Sequence, residues 1–412
     1  MPIIIGNFYW GNVMPGISER TQQLGTEESF VVLQEAQNRI AKGIPIINFC
    51  IGMPNFDTPE NIKQAAIKAI KEGKTNYTAS AGIIPLKQAV AKTLKRTHGV
   101  DVNPDHVVIA NGIRQFITYS ILAATDAGKG HEVIIPNPGY PIYASQTRMA
   151  GANPVFVKLL EKNNFSFDVK ELEANITKNT KLLVLNTPHN PCGSIIPKKD
   201  MKKIADLALA HDFYVLTDEA YGRIIYGNDF YSIFSIPEMH KKVIFMDGVS
   251  KTYAMTGWRL GWAVNTLLYE KLGRMVRNLE ACPNHISQYA AIEALNGPQD
   301  EAESMVKSYK ERRDFIVGEL NKIPGVSCKM PGGAFYAFPN ITEACKLVGA
   351  RDSEEFRKRL LDEANIATVV DIHFGFRNPE DGQHMRFSYA TSMENLKKGM
   401  DGLRNFIEKN RK

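Results

Sequence analysis

Apolar residues along the chain follow two rhythms, one short and uninterrupted, the other spaced by three and four. Runs rich in Val, Ile and Leu recur at 107–111, 132–136, 154–158, 181–186, 213–218, 243–248 and 260–264. Most lack polar alternation, as strands buried on both faces should. Helical spacing fills most of the intervals, as at 113–125 and 201–211. The alternation predicts an α/β fold: a large domain with a mostly parallel seven-stranded sheet covered by helices.

After Pro283 the rhythm changes. Helical patterns at 287–295 and 300–323, the second rich in Lys, Arg and Glu, lead into short β-like runs at 333–339, 368–370 and 385–390. Further helical patterns lie at 354–363 and 393–409. Together they predict a smaller α+β domain. The expected division is 1–55 for an N-terminal arm and part of the small domain, 56–295 for the large domain and 296–412 for the C-terminal small domain.

Ahead of the sheet the chain starts irregularly. Gly6, Gly11, Pro15 and Gly16 interrupt Phe8, Tyr9 and Trp10, an aromatic arm expected to pack on a neighbouring subunit. A helix is expected over 30–42, stopped by Gly43. Thr58-Pro59-Glu60 opens another that runs to Glu72-Gly73, with Thr58 as N-cap and Pro59 in the first helical position. A polar loop at 76–82 precedes a helix at 85–98.

With 412 residues the chain exceeds one small core. Its net charge of +6 is mild for that length. The densest basic run, 198–203, has no aromatic or Arg-rich stripe beside it, so no nucleic-acid partner is expected. Five cysteines (Cys50, Cys192, Cys282, Cys328, Cys345) include no C-x-x-C pair, which argues against a disulfide framework or a zinc site. No metal is expected, and a reducing, cytoplasmic compartment is. Ile3-Ile4-Ile5 lacks the basic flank and the length of a signal peptide, and no apolar stretch would span a bilayer.

In an open parallel sheet, ligands bind beyond the carboxyl ends of the strands. Asn111-Gly112, the segment from Asn186 to Gly193, Asp218 and Ser250-Lys251 all fall there. Lys251 follows the run at 243–248, and Arg259-Leu260-Gly261 comes eight residues later. In a desolvated pocket a lysine loses its charge and its amine attacks carbonyls. Alone, a lysine at such a place reads more readily as a surface loop lysine.

The wider pattern changes that balance. Gly52–Pro59, Asn76–Gly82, Asn186–Gly193, Thr217–Tyr221, Ser250-Lys251 with Met255–Gly261, and Met385–Thr391 stand in an order and spacing that resemble the class I aminotransferases. These belong to the fold-type-I pyridoxal-phosphate enzymes (aspartate-aminotransferase-like, class I/II), and the resemblance covers nearly the whole chain. It implies that 56–295 binds pyridoxal 5'-phosphate. Lys251 would form a Schiff base with the cofactor and later carry the proton between substrate Cα and cofactor C4′. Asp218 would pair with the pyridine nitrogen, with a helix N-cap as its plainer alternative. Tyr221 and Asn190 would bind the phenolic oxygen, and Tyr140 would stack on the ring. The phosphate would meet the backbone of Gly112, Ile113 and Arg114, the side chains of Ser250 and Arg259, and Tyr77 from a partner subunit. Arg386 would clamp the substrate α-carboxylate in a bidentate fork, completed by Gly52 and Asn190.

The chain departs from the family pattern in places. Cys192 replaces the usual threonine of its turn. The loop 370–375 carries Asp371 and His373 where the family has Pro-Gly and small residues, and Glu27 and Glu28 precede a segment that caps the substrate side chain. These groups would suit a cationic amino acid. Arg114 argues the other way, since related aspartate-type enzymes place a lysine there for a distal carboxylate. The implied function is a homodimeric, cytoplasmic aminotransferase with active sites shared across the interface, moving an amino group from an L-amino acid to a 2-oxo acid. Its rivals are an oxygen-using oxidase of a cationic amino acid such as arginine and a β-eliminating lyase on the same scaffold. A non-enzymatic sensor would need an attached DNA-binding module, for which the resemblance leaves no expected segment.

Overall fold

A computed structural model describes residues 27–227 and 230–411, with Gly16, Ser18, Thr21, Leu24 and Gly25 ahead of them. The aromatic arm at Phe8, Tyr9 and Trp10 lies outside the described residues. The strands in chain order are β1 (Ile47–Asn48), β2 (Val107–Ala110), β3 (Glu132–Asn137), β4 (Asn153–Lys158), β5 (Thr180–Asn186), β6 (Tyr214–Asp218), β7 (Val243–Gly248), β8 (Gly261–Val264), β9 (Tyr336–Ala337), β10 (Ile366–Ala367), β11 (Val369–Val370) and β12 (Met385–Ser388).

Seven of them form one sheet in the order β2-β8-β7-β6-β5-β3-β4. β8 runs antiparallel to β2 and β7, and the other pairings are parallel. This is the α/β architecture expected from the strand rhythm, with one strand reversed. Successive residues of a strand face opposite sides of its sheet. Leu183, Leu185, Val215, Val243 and Phe245 pack on one face, and Leu182, Val184, Leu216, Ile244 and Met246 on the other. Both faces are covered, so the central strands are apolar throughout and carry no alternation to read.

The short strands of the C-terminal part are briefer than the β-like runs suggested. β9, β12 and β11 make a three-stranded antiparallel sheet, and β1 pairs in parallel with β10. The helices Asp300–Leu320, Ser353–Ala364 and Met393–Asn410 contribute Tyr309, Phe356 and Leu403 to a second core, which also takes in Phe49 and Phe387. The chain thus visits these elements once at residues 47–49, where Phe49 N–H donates to the Ala367 carbonyl at 2.8 Å, before it builds the large sheet.

One cap differs from expectation. The helix after Thr58 spans Glu60–Lys71, and Pro59, not Thr58, is its N-cap. The Thr58 hydroxyl is taken elsewhere: it donates to the Ala254 carbonyl at 2.9 Å and accepts from Trp258 Nε1 at 3.1 Å. A tertiary contact with the segment after Lys251 has outcompeted a local cap.

Phe49 also fixes a glycine. A Cβ on Gly399, within the helix Met393–Asn410, would sit 2.4 Å from the Phe49 ring, itself held against Phe387 with centroids 5.5 Å apart. Gly399→Ala gains roughly 1 kcal/mol of helix propensity. Overpacking a ring that has nowhere to go costs about 1–3 kcal/mol. Net destabilisation is expected, read as a lower denaturant midpoint, and Phe49→Leu in the same chain should recover part of it; an alanine variant as stable as the parent would refute this packing.

Candidate active site

The carboxyl ends of β5, β6 and β7 bring distant segments together. Asn186 and Asp218 are register partners at the ends of β5 and β6. β7 runs directly into the helical turn Val249–Thr252, which carries Ser250 and Lys251. Lys251 is half-buried, and its Nζ donates to the Gly52 carbonyl at 2.6 Å and lies 5.9 Å from the Tyr221 ring centroid. Burial lowers this amine to about 8, Glu27 holds it up, and Arg386, Arg259 and Arg114 push it further down. The amine is then neutral more often near pH 7 than an ordinary lysine's, which is what a nucleophilic amine needs.

Asp218 shows the mirror effect. Burial pushes its carboxyl up to about 6, against hydrogen bonds from Tyr143 and Ala220 N–H that pull it down. The Tyr143 hydroxyl donates to Oδ2 at 2.7 Å, and Ala220 N–H to Oδ1 at 3.1 Å. A turn and no helix follows Asp218, so the helix N-cap reading falls. Tyr221, in that turn, is buried and shares a hydrogen bond of 2.6 Å with the Tyr336 hydroxyl.

Arg386, on β12, is 2 % exposed. Its Nη1 donates to Asn190 Oδ1 at 2.8 Å, its Nη2 donates to Ser29 Oγ at 3.3 Å and to the Cys50 carbonyl, and its Nε has no partner among the described residues. All of these partners are neutral. The guanidinium lies between the rings of Tyr336, 4.5 Å from its centroid, and Phe374, at 4.9 Å. A buried cation without a counter-charge is costly, and this one is a seat for an anion. Gly52 closes the same corner: a Cβ there would lie 1.9 Å from the Tyr336 hydroxyl.

A second anion seat forms at Gly112. Its φ of +105° lies outside the ordinary L-residue regions, and a Cβ would fall 2.5 Å from Arg259 Nη2. Ile113 and Arg114 then start the helix Arg114–Ala124, whose N-terminus no side chain caps. Uncapped N–H groups beside a guanidinium suit a phosphate. A cavity of about 720 Å³, lined in part by Asn111, Arg259, Asn284 and Ser287, opens beside this seat. Tyr77 stands 90 % exposed on the surface.

Arg114 and Glu27 form an ion pair of 2.6 Å. Tyr140 joins it: its hydroxyl accepts from Arg114 and donates to Glu27 at 3.1 Å. The Tyr140 ring also meets Tyr143 edge-on, centroids 5.6 Å apart, which links the pair to Asp218. The acidic group and the arginine that pointed to opposite substrates are therefore partners of each other.

Three expected substrate contacts are not brought to this cluster. Asp371 is buried, accepting from Arg377 Nε at 2.9 Å and Ser353 Oγ at 2.6 Å. His373 pairs with Glu354 at 3.3 Å. The turn Asp371–Phe374 thus spends its ionisable groups on the helix Ser353–Ala364 and presents Phe374 to Arg386. Glu28 lies beside Arg357, whose charge it helps to hold, together with Glu354 and Glu35. The motive for a cationic substrate, and with it for the arginine-oxidase reading, loses three of its residues here.

Tyr143, Tyr336, Phe374 and Ser29 were not picked out from sequence. Tyr143 lies in the helix Ile142–Met149 and Tyr140 ahead of it, so no helical spacing marks the two as neighbours. Tyr336 sits in the aromatic run Phe335-Tyr336-Ala337-Phe338, which reads as core, and nothing local marks its hydroxyl.

Comparison with known proteins fits this geometry. The model of the family "Aminotransferase class I and II" matches residues 44–403. The chain is similar to the asparagine–oxo-acid transaminase of Streptococcus mutans, with 38 % identity over 96 % of this chain and 100 % of that protein. It is similar to the aspartate aminotransferase of Geobacillus stearothermophilus, with 35 % identity over 95 % and 99 % of the two chains. Among solved structures, the aspartate aminotransferase of Rhizobium meliloti superimposes with a TM-score of 0.90 at 32 % identity, covering 96 % of this chain and 100 % of that one.

The hydrogen bond to Asp218 is open to test. Tyr143→Phe removes a donor to the carboxylate, so the Asp218 carboxyl is expected to titrate above its present value of about 6. Carbon-13 NMR of labelled aspartate in the cofactor-free protein would read the shift, and an unmoved or lowered titration would contradict it.

Proposed function

The chain belongs to the class I and II aminotransferases and is an enzyme that moves amino groups between amino acids and oxo acids; on that premise we propose that it does so with pyridoxal 5'-phosphate held at Lys251. The residues fit this cofactor. Gly112 leaves space that any side chain would close against Arg259, so backbone and guanidinium form a cradle for a phosphate. Asp218 ends β6 with a buried carboxylate whose described partners are neutral donors, as a ring-nitrogen partner should be. Arg386 keeps an unpartnered Nε.

When bound, pyridoxal phosphate supplies an aldehyde that condenses with amines and a protonated ring that draws electrons from bonds at the substrate Cα. The chain's residues do the rest. Lys251 would hold the cofactor through its aldehyde, and its amine, which burial brings down to about 8, would take and return the proton at the substrate Cα. Asp218 would keep a proton on the ring nitrogen. Tyr221 and Asn190 would bind the phenolic oxygen, and Tyr140 would cover the ring. Gly112, Ile113, Arg114, Ser250 and Arg259 would hold the phosphate. Arg386 fixes the α-carboxylate, with Asn190, Ser29 and the Cys50 carbonyl fixing Arg386 in turn.

The exposure of Tyr77 supports a homodimer in which this residue completes the partner's phosphate site. The division at 1–55, 56–295 and 296–412 remains our proposal for the domains. Among the described residues no helix is long and apolar enough to cross a membrane. Five unpaired cysteines support a reducing compartment, which we take to be the cytoplasm. The relatives' names, aspartate and asparagine, point to a donor with a short acidic or amide side chain.

The cradle around Lys251 carries this reading. Loaded enzyme given an amino acid but no oxo acid should release about one oxo acid per subunit and stop, with no oxygen uptake. Lys251→Ala should slow transfer by at least about a thousandfold. Continuous release of ammonia under the same conditions, or full turnover by the variant, would sink it.

A further inference from the structure

Two charged seats face each other across the site, and one short segment touches both. Ser29 accepts from Arg386, where the donor's α-carboxylate binds on the reading above. Two residues earlier, Glu27 Oε2 accepts from Arg114 Nη2 at 2.6 Å and from Tyr140 at 3.1 Å. Glu27 also acts on the charge of Lys251, as do Arg114 and Arg386. The donor's side chain, leaving a Cα beside Lys251 and a carboxylate on Arg386, therefore points into the neighbourhood of the Glu27–Arg114 pair.

We propose that the Glu27–Arg114 pair selects donors whose side chain ends in a carboxamide, over donors that end in a carboxylate or a cation. This rests on the aminotransferase reading and deepens it.

Arg114 is not a free cation waiting for a distal carboxylate; it is already neutralised at 2.6 Å. A second carboxylate arriving there would lie beside Glu27 with no proton to donate to it. A cationic side chain would satisfy Glu27 and meet Arg114. A carboxamide suits both members, because its carbonyl accepts from the guanidinium and its NH₂ donates to the carboxylate. Among the described residues Glu27 Oε1 accepts no hydrogen bond, and Arg114 donates from Nη2 alone. The pair thus presents an unused acceptor beside unused donors. Burial of Glu27, whose side chain is 17 % exposed, limits the screening of its charge, while Arg114 is 46 % exposed and open to an arriving group. Like charges juxtaposed in such a site are strongly disfavoured.

Unreactive analogues isolate this preference from turnover. Calorimetry on the cofactor-loaded enzyme should show succinamate, one carboxylate and one carboxamide, binding about tenfold or more tighter than succinate. Glu27→Gln frees Arg114 and should reverse the order, with succinate gaining about tenfold. Arg114→Met, a second variant in case the first folds poorly, should abolish the succinamate preference. Succinate binding as tightly as succinamate to the parent enzyme, an order unmoved in Glu27→Gln, or no binding of either analogue overturns the proposal. Conversion of asparagine or aspartate at any rate upholds the underlying reading, so the two can fail separately.

Discussion

Desolvation of two opposite ionisable groups at the ends of neighbouring strands is the constraint on which this site depends. β6 delivers Asp218 and β7 leads into Lys251, and burial drives each toward its neutral form, the acid up to about 6 and the amine down to about 8. Neither shift is an accident of one contact. The sheet is covered on both faces, so any group at its carboxyl edge that turns inward leaves water. What surrounds the two groups then decides how far each moves. Tyr143 and a backbone N–H hold Asp218 partly ionised, while three arginines hold Lys251 partly neutral. Glu219, next to Asp218, adds its charge to the upward push on that carboxyl, but its own contacts lie elsewhere. It turns to His98 at 3.0 Å and also accepts from Thr217, on the face where Phe245 packs, while Asp218 meets Tyr143 on the other.

That division explains which parts of the molecule were legible in the sequence. Strands buried on both faces announce themselves as apolar runs, and the residues at their ends, Asp218 and Lys251, could be placed from the runs alone. The reversed direction of β8 could not, because its run looks like the others; only pairing distinguishes it. Residues that act by position within a motif, such as Arg386 and Gly112, carry local signals. Tyr143, Tyr336 and Phe374 carry none, since an aromatic residue in a core and one whose hydroxyl or face serves a site share one local pattern. Asp371 and His373 show the converse error. Two ionisable groups in a loop beside a site invite a functional reading, but Ser353, Arg377 and Glu354 had already claimed them. Loop charges are decided by partners distant in sequence. Thr58 lost its expected cap role for the same reason.

The site has three arginines and they are not equivalent. Arg386 is buried among neutral partners and aromatic faces, so its charge stays uncompensated until an anion arrives. Arg259 leans on Gly112, with its Nη1 donating to the Thr256 carbonyl at 2.9 Å, and points at an uncapped helix start. Arg114 has a carboxylate of its own. Two seats are open to anions and the third is closed by an ion pair. A substrate bearing one carboxylate and a cofactor bearing one phosphate would satisfy the open two.

The closing carboxylate sits on the segment that also carries Ser29, and that segment begins the helix Glu28–Ile40. The helix is not free to drift, because Arg39 near its far end donates to Asp362 at 2.6 Å and to the Leu361 carbonyl, on the helix Ser353–Ala364. The latter helix also holds Asp371 and His373, and so positions the turn that places Phe374 against Arg386. The α-carboxylate seat and the side-chain selector are therefore parts of one assembly, tied through a span of two residues at one end and a helix pair at the other. Displacing Glu27 from Arg114 by a distal carboxylate would strain the same span that keeps Ser29 on Arg386, so the two ends of a dicarboxylate compete through the backbone as well as through charge. A neutral amide asks for no such displacement.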